Sequence, residues 1–390
     1  MQIPDSLQGR LDYDPVNRRL IAKGVLSEQA KQALRSQSSD PTFRQAVEAL
    51  FQAAQTPITP LHRQAEFSDR FIGLPIGYLA EAITGFFENG GTRCYLVRAD
   101  SMAKPEMALK EAIASLSALT DLDLIAVPDA MILPKKNLMN VQQALIAHCA
   151  EQGDRLAILD AIPGSTIEAL QIQRSGIIAN QTEPFNAALY YPWLRNTHGR
   201  LVPPCGHVAG IFARSDRARG FFKAPANEVI RDAIDLEFVV DNATQDQLNP
   251  SGINGLRAFP GRGIRVWGVR TLSQDLNWRY INVRRIFLTL NRWINQNMRF
   301  ATFEPNSPEL WIRIQRELSI YLTSLWEAGA LQGEIPEQAF YVKCDLETNP
   351  PEVREIGQVI TEMGLAATAP AEFIIVRITQ QAESTQITIP

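Results

Sequence analysis

An α/β chain is what this sequence predicts: a doubly wound parallel sheet, a smaller α+β domain after it, and a small helical unit in front. Three observations lead there. Short apolar strands alternate with helices from about residue 70 to 270. Two long amphipathic helices flanked by short strands follow after about 270. Before both, residues 1–60 show helical periodicity and end in a proline-rich break. The expected division is therefore 1–60, 61–270 and 271–390.

Taken in order, "LSEQAKQALRSQ" and "DPTFRQAVEALFQAAQ" read as amphipathic helices. In the second, Asp40 is placed to cap, Pro41 sits at the first helical position, and Phe43, Val47, Leu50 and Phe51 share a face. "TPITP", Thr56 to Pro60, breaks the chain. "RCYLVRA" is a strand, and "KPEMALKEAIASLSAL" a helix with Pro105 near its start. "LDLIAVPDA" reads as a strand buried on both faces, because its apolar run is continuous. "NLMNVQQALIAHCAEQG" is a helix closed by Gly153, and "RLAILDAIPG" is a third strand. "IEALQIQRSGII" and "NAALYYPWLR" continue the alternation, with right-handed crossovers expected.

Beyond 270, "WRYINVRRIFLTLNRWINQNMRF" predicts one long amphipathic helix. "NSPELWIRIQRELSIYLTSLWEAG" predicts a second, with Ser307 as cap, Pro308 behind it and Gly329 as terminator. Its apolar stripe is Trp311, Ile314, Leu318, Tyr321, Leu322, Leu325 and Trp326. "AFYVKCD" reads as a strand, "PPEVREIGQVITEMG" as a third helix, and "AEFIIVRITQ" as a terminal strand.

At 390 residues, with 45% hydrophobic and 21% charged residues, the chain is long enough to bury a large core. A net charge of −4 argues against nucleic-acid binding, which usually shows a basic excess. Cys94, Cys149, Cys205 and Cys344 have no short pairing interval, so buried free thiols in a reducing compartment are expected, with no metal and no cofactor. The first residues lack the basic and apolar blocks of a signal peptide, and no apolar run reaches the ~18 residues of a membrane span. Synthesis and folding in the cytoplasm, without membrane insertion, are the expectation.

Candidate chemistry is sparse. "RADSMAKPEM", Arg98 to Met107, places Ser101 before Met-Ala-x-Pro, which resembles the nucleophile segment of subtilisin-type proteases. Those enzymes need Asp, His and Ser in that chain order. Here only His62 precedes Ser101, while His148, His198 and His207 follow it, and Ala99-Asp100 replaces the usual Gly-Thr. Ser101 therefore reads as part of a helix cap. Cys205-Gly206-His207 would put a thiol and an imidazole on one face of a strand, but Pro203 and Pro204 favour a turn. "PGRGIRVWG" has neither the Lys-Ser/Thr of a phosphate loop nor a following helix, so it reads as a glycine-rich bend. Asp121/Asp123 and Glu334/Glu337 read as solvated charges. Arg284, Arg285, Arg292, Arg299, Arg313 and Arg316 lie on the two long helices and could form a basic face toward an acidic protein partner.

Several stretches in fixed order resemble the sheath proteins of contractile phage tails and related contractile injection systems. They are "GFFENGGTRCYLVRAD" (85–100), "VPPCGHVAGIFARSDRARGFFKAPANEVI" (202–230) and "LNPSGINGLRAFPGRGIRVWGVRTLS" through "WRYINVRRIFLTLNRWI". "FEPNSPELW", "SLWEAGALQG", "AFYVKCD" and "PAEFIIVRITQ" continue the match, which covers about residues 70–390.

The resemblance implies a subtilisin-like but non-catalytic α/β domain and a C-terminal domain facing an inner tube. It implies a homopolymer of stacked rings with inner tube, sheath siblings, baseplate and cap proteins as partners, assembled in the cytoplasm into a phage tail or tail-like particle. It further implies that terminal strands add to a neighbour's sheet. The C-terminal strand Glu372, Phe373, Ile374, Ile375, Val376, Arg377 and Ile378 would be donated, and Phe340, Tyr341, Val342 and Lys343 would receive it. Arg284, Arg285, Arg292, Arg313 and Arg316 are the implied tube-facing positions. The family's "PGVYVEE"-like opening strand is absent here. "GRLDYD…RRLIAKG" could supply a hairpin in its place, or the chain is a specialised copy, a cap or baseplate accessory. A hydrolase on a subtilisin-like scaffold is the reading from a different class.

Overall fold

The computed structural model describes residues 11–14, 19–22, 58–70, 77–99, 104–179, 181, 186–367, 374–380 and 385–388. The two expected N-terminal helices and Ser101 lie outside the described residues. Strands β1 (Leu11–Asp14) and β2 (Arg19–Ala22) form an antiparallel hairpin with Leu11 opposite Ala22, as the N-terminal stretch suggested. The expected break at 56–60 instead contains a strand, β3 (Ile58–Leu61). Pro60 is compatible with it because, among the described residues, β3 has a strand on one side only, and proline is tolerated on an edge strand.

Helices α1 (Gln64–Arg70) and α2 (Leu79–Glu88) follow, then β4 (Cys94–Val97) and α3 (Pro105–Ser115). Next come β5 (Leu124–Ile125), α4 (Lys135–Gln152), β6 (Leu156–Asp160), α5 (Ile167–Ile178) and β7 (Ala187–Tyr191). Gly153 ends α4 in the left-handed region at φ 65°, where glycine carries no Cβ penalty. A small antiparallel sheet of β8 (Leu194–Asn196), β9 (Leu201–Val202) and, after α6 (Cys205–Arg219), β10 (Ala233–Leu236) caps this region. Helix α7 (Asn242–Leu248) leads into β11 (Ile253–Phe259) and β12 (Gly263–Trp267).

The central sheet has the order β12-β11-β7-β6-β5. Four strands run parallel, and β12 returns antiparallel through the Gly261–Gly263 bend. Alternation along β6 sends Leu156 and Ile158 to one core and Ala157 and Leu159 to another, so both sheet faces are covered. One core takes α3, α4 and α5; the other takes α2 and α6. Where α2 and α6 meet, Gly206 and Gly210 let the backbones of Ala82 and Phe86 approach closely. One expectation fails here. β4 pairs with β3 rather than joining the parallel sheet, and a cavity of about 420 Å³ lined by residues of both strands separates it from β5.

Helix α8 (Ile281–Asn297) starts three residues after Trp278, and its first N–H, which has no acceptor within the helix, donates to Val269 O at 2.9 Å. Helix α9 (Pro308–Glu327) ends in a Schellman arrangement: Gly329 N–H donates to Trp326 O and Ala330 N–H to Leu325 O. A four-residue turn of helix, α10 (Pro336–Ala339), precedes β13 (Phe340–Lys343). The predicted third helix is only α11 (Pro351–Glu355). Gly357 then takes φ 73° and the β-branched run Val359-Ile360-Thr361 enters β14 (Val359–Leu365). Cross-strand partners on both sides outweigh the helical periodicity of that stretch. Strands β15 (Ile374–Gln380) and β16 (Thr385–Thr388) complete a sheet of order β13-β14-β15-β16.

Candidate functional site

The polar cluster at the carboxyl end of the parallel strands is the first place where chemistry could occur. Cys205 and His207 do not lie in a turn; they open α6, with Pro204 before them. Asp160, at the end of β6, accepts hydrogen bonds from the Cys205 backbone N–H at 2.9 Å and from the Cys205 thiol. Burial pushes the Asp160 carboxyl up to about 7, and burial together with Asp160 holds the Cys205 thiol well above its ordinary range. A thiol so placed stays protonated and is a poor nucleophile. His207 is buried, with Nε2 3.7 Å from Asp232. His148 contacts Arg155 at 3.4 Å, and His62 is exposed. Cys205 serves the helix start and His207 fills the contact against Gly85.

The second place is the edge of the C-terminal sheet. Phe340 pairs with Leu365 and Lys343 with Glu362, so β13 has β14 on one side and, among the described residues, no strand on the other. Gly364 lies under the Tyr341 ring, and Tyr341 donates its hydroxyl proton to Glu362 at 3.4 Å. Because Ala366 N–H donates to Ala339 O, the backbone groups of Tyr341 face β14 while those of Phe340 and Val342 face outward. Gln315 of α9 donates to Val342 O at 3.5 Å. Residues 374–380 pair with β14 of the same chain over seven positions. Glu372 and Phe373 lie outside the described residues.

The arginine expectation needs correction at three of its five positions. Arg284 and Arg285 are each only 4% exposed. Arg284 donates to Asn186 Oδ1 at 2.7 Å, and Arg285 grips Asp216 through both terminal nitrogens, NH1 at 2.7 Å. Arg292 donates to Asp123 Oδ1 at 2.7 Å and to Asp154 O at 2.6 Å. These three side chains turn inward and fasten α8 to the parallel-sheet region; they do not form an outward basic face. Ile281 and Leu288 lie on the same side of the helix, in the sheet's core. A stripe reading Ile281, Arg285, Leu288, Arg292 was the available signal: arginines spaced among buried positions point to carboxylate partners elsewhere in the chain.

Arg313 and Arg316 are exposed on α9. Arg313 stacks on Phe300 at 4.1 Å, and Arg316 lies 3.0 Å from Glu317. Ile312 and Ile320 flank Arg316 on the same outward face. The acidic pairs also differ from a purely solvated reading, since Asp121 pairs with Arg93 at 2.6 Å and Asp123 with Arg292. Among the described residues no group of His, Cys, Asp and Glu is arranged to hold a metal ion.

Comparison with known proteins places this architecture. Residues 110–272 match the phage tail sheath protein central domain, and residues 273–381 match the phage tail sheath C-terminal domain. The tail sheath protein of Vibrio phage KVP40 is 26% identical over 251 residues, 62% of this chain but 35% of the phage protein. The anti-feeding prophage baseplate contains a chain of TM-score 0.69 and 32% identity, with 83% of this chain and 88% of that one covered. The contracted sheath complex of the extracellular injection system PVC gives TM-score 0.67 and 32% identity over 83% and 87%. A mixed α/β chain with two matched sheath domains is thus established, and it belongs to the contractile tail sheath family. The chain matches only about a third of the length of the KVP40 relative.

Proposed function

We propose that this chain is a structural subunit of a contractile sheath. It polymerises around an inner tube and shortens by subunit rearrangement, driving the tube through a target envelope. The observation that carries the reading is the C-terminal sheet: among the described residues no strand lies beside the outer edge of β13, and β15 and β16 attach through β14. An open edge accepts a neighbour's strand through main-chain hydrogen bonds, which tolerate rigid-body movement of whole subunits. Glu372–Ile378 is the donated segment and Phe340–Lys343 the receiving edge. The work of contraction comes from a difference in contacts between extended and contracted lattices.

In this reading residues 61–270 form the subtilisin-like domain, which serves as a scaffold and not as a protease. Residues 271–390 form the tube-side domain and 1–60 a separate front unit. Arg313 and Arg316 are the remaining tube-facing candidates, since exposed guanidinium groups on one helix face suit a carboxylate-bearing surface. Baseplate, cap and sibling sheath proteins complete the partners, and assembly takes place in the cytoplasm.

The test is electron microscopy of the purified chain, alone and with its tube partner. Ordered tubes or rings are expected in the sample that contains the tube partner. Removal of residues 372–390 is expected to abolish them while leaving a folded subunit by circular dichroism. A second reading is a cap or baseplate accessory, since one of the similar chains comes from the anti-feeding prophage baseplate. Persistent monomers in both samples, with binding to isolated baseplates, would replace the sheath reading by this one.

A further inference from the structure

The C-terminal sheet is closed by the chain's own end. β15 pairs with β14 from Ile374 opposite Leu365 to Gln380 opposite Val359, and β16 adds four further pairs. Eight residues, 366–373, connect β14 to β15. A tether that short offers the β15–β16 hairpin to its own β14 at an effective concentration on the order of mM. A second copy at micromolar concentration offers the same hairpin at roughly a thousandth of that. The same cross-strand pairs form either way, because the exchanged element is identical. The tether therefore decides the outcome in free solution, and it favours self-closure.

We propose that the free subunit is self-inhibited for assembly. Its own β15–β16 hairpin occupies the β14 edge until subunits are held side by side on a preformed ring. The inference rests on the strand-exchange reading above, places the exchange at the β14 edge that β15 covers and not at the outer edge of β13, and adds a brake to it. On such a ring, the neighbour's hairpin is also tethered nearby, so the thousandfold advantage of the chain's own hairpin disappears. Spontaneous polymerisation of free subunits is thereby slow, and growth from a template is fast.

The register supplies the test. Ala366 N–H donates to Ala339 O, so the even-numbered residues of β14 direct their backbone groups to β13 and the odd-numbered ones to β15. Glu362 opposite Arg377, and Ile360 opposite Thr379, are then non-hydrogen-bonded pairs, whose Cα atoms stand about 4.5 Å apart. That spacing suits a disulfide. The experiment uses the full chain carrying Glu362→Cys with Arg377→Cys, and in parallel Ile360→Cys with Thr379→Cys as a guard against one pair disturbing the fold.

Oxidation of the free subunit is expected to give an intramolecular disulfide. The locked subunit should assemble roughly tenfold less than its reduced form or worse, and reductant should restore assembly. Oxidation after assembly should instead link neighbouring copies. Failure of both pairs to form an intramolecular bond in the free subunit would overturn self-closure and leave strand exchange standing. A locked subunit that assembles as well as the reduced one would overturn the brake. If particles oxidised only after assembly also contain only intramolecular bonds, strand exchange itself falls while self-closure survives.

Discussion

Arg285 and Asp216 form an ion pair between α8 and α6, with the guanidinium nearly sealed from water. Breaking such a pair leaves a charge without its partner, which costs about 3–5 kcal/mol. Arg285→Ala is expected to lower the urea midpoint strongly, whereas Arg313→Ala and Arg316→Ala should stay within about 0.5 kcal/mol of the parent. Asp160 allows a prediction about pH. Its folded carboxyl titrates at about 7, above the ordinary carboxylate value of 3.8, because burial opposes its charge. The folded state therefore holds a proton that the unfolded state releases. This group's contribution is fully present below the unfolded value and is lost as pH rises through about 7. Urea midpoints at pH 5 and pH 8 should differ in that direction, and Asp160→Asn should reduce the difference. An unchanged difference would remove Asp160 from the account.

The contact between α2 and α6 is made by glycine. A Cβ on Gly206 would collide with the Ala82 backbone, and one on Gly210 with the Phe86 carbonyl. Neither obstacle is the flexible end of a side chain, so the helices must separate to admit a methyl group. Gly206→Ala is expected to cost about 1–3 kcal/mol and to lower the thermal midpoint. A neutral result would mean that this interface is looser than its backbone spacing implies. At the same scale, α8 belongs to two cores at once. Val283, Phe287 and Leu290 pack with α9, while Ile281 and Leu288 pack under the parallel sheet. Substitutions on either side of α8 should therefore lower one shared unfolding transition, which calorimetry of Arg285→Ala and Leu290→Ala can check.

For the whole molecule, the consequence is that the parallel-sheet region and the two long helices are fastened together by Arg284, Arg285, Asn291 and Arg292. Under the proposed function, movement during sheath shortening is expected at the contacts between subunits and not at the join near residue 272. Disulfide locks across that join should leave contraction intact, while locks between subunits should stop it. Particles whose contraction fails with the internal lock alone would contradict this.

Much of this was legible from residue order. The alternation of strands and helices, the Gly153 and Gly329 terminators and the apolar stripe of α9 follow from local periodicity and from the left-handed conformation that glycine alone adopts freely. The ordered motifs also pointed to the sheath family. Local pattern could not reveal partners. "QVITEMG" has a helical spacing of apolar residues, yet β13 and β15 make it a central strand. "RCYLVRA" looks like a member of the parallel sheet, yet it pairs with β3. Three arginines that look solvated in sequence turn inward, Arg284 and Arg285 buried and Arg292 partly so, because Asp216, Asp123 and the Asn186 amide, distant in the chain, are brought to them. The sequence alone determined which segments are apolar, where they stop and what family they belong to, because those depend on neighbours a few residues away. Only the tertiary structure decided which edges pair and which charges face inward, because hydrogen-bond partners and burial are set by residues far along the chain.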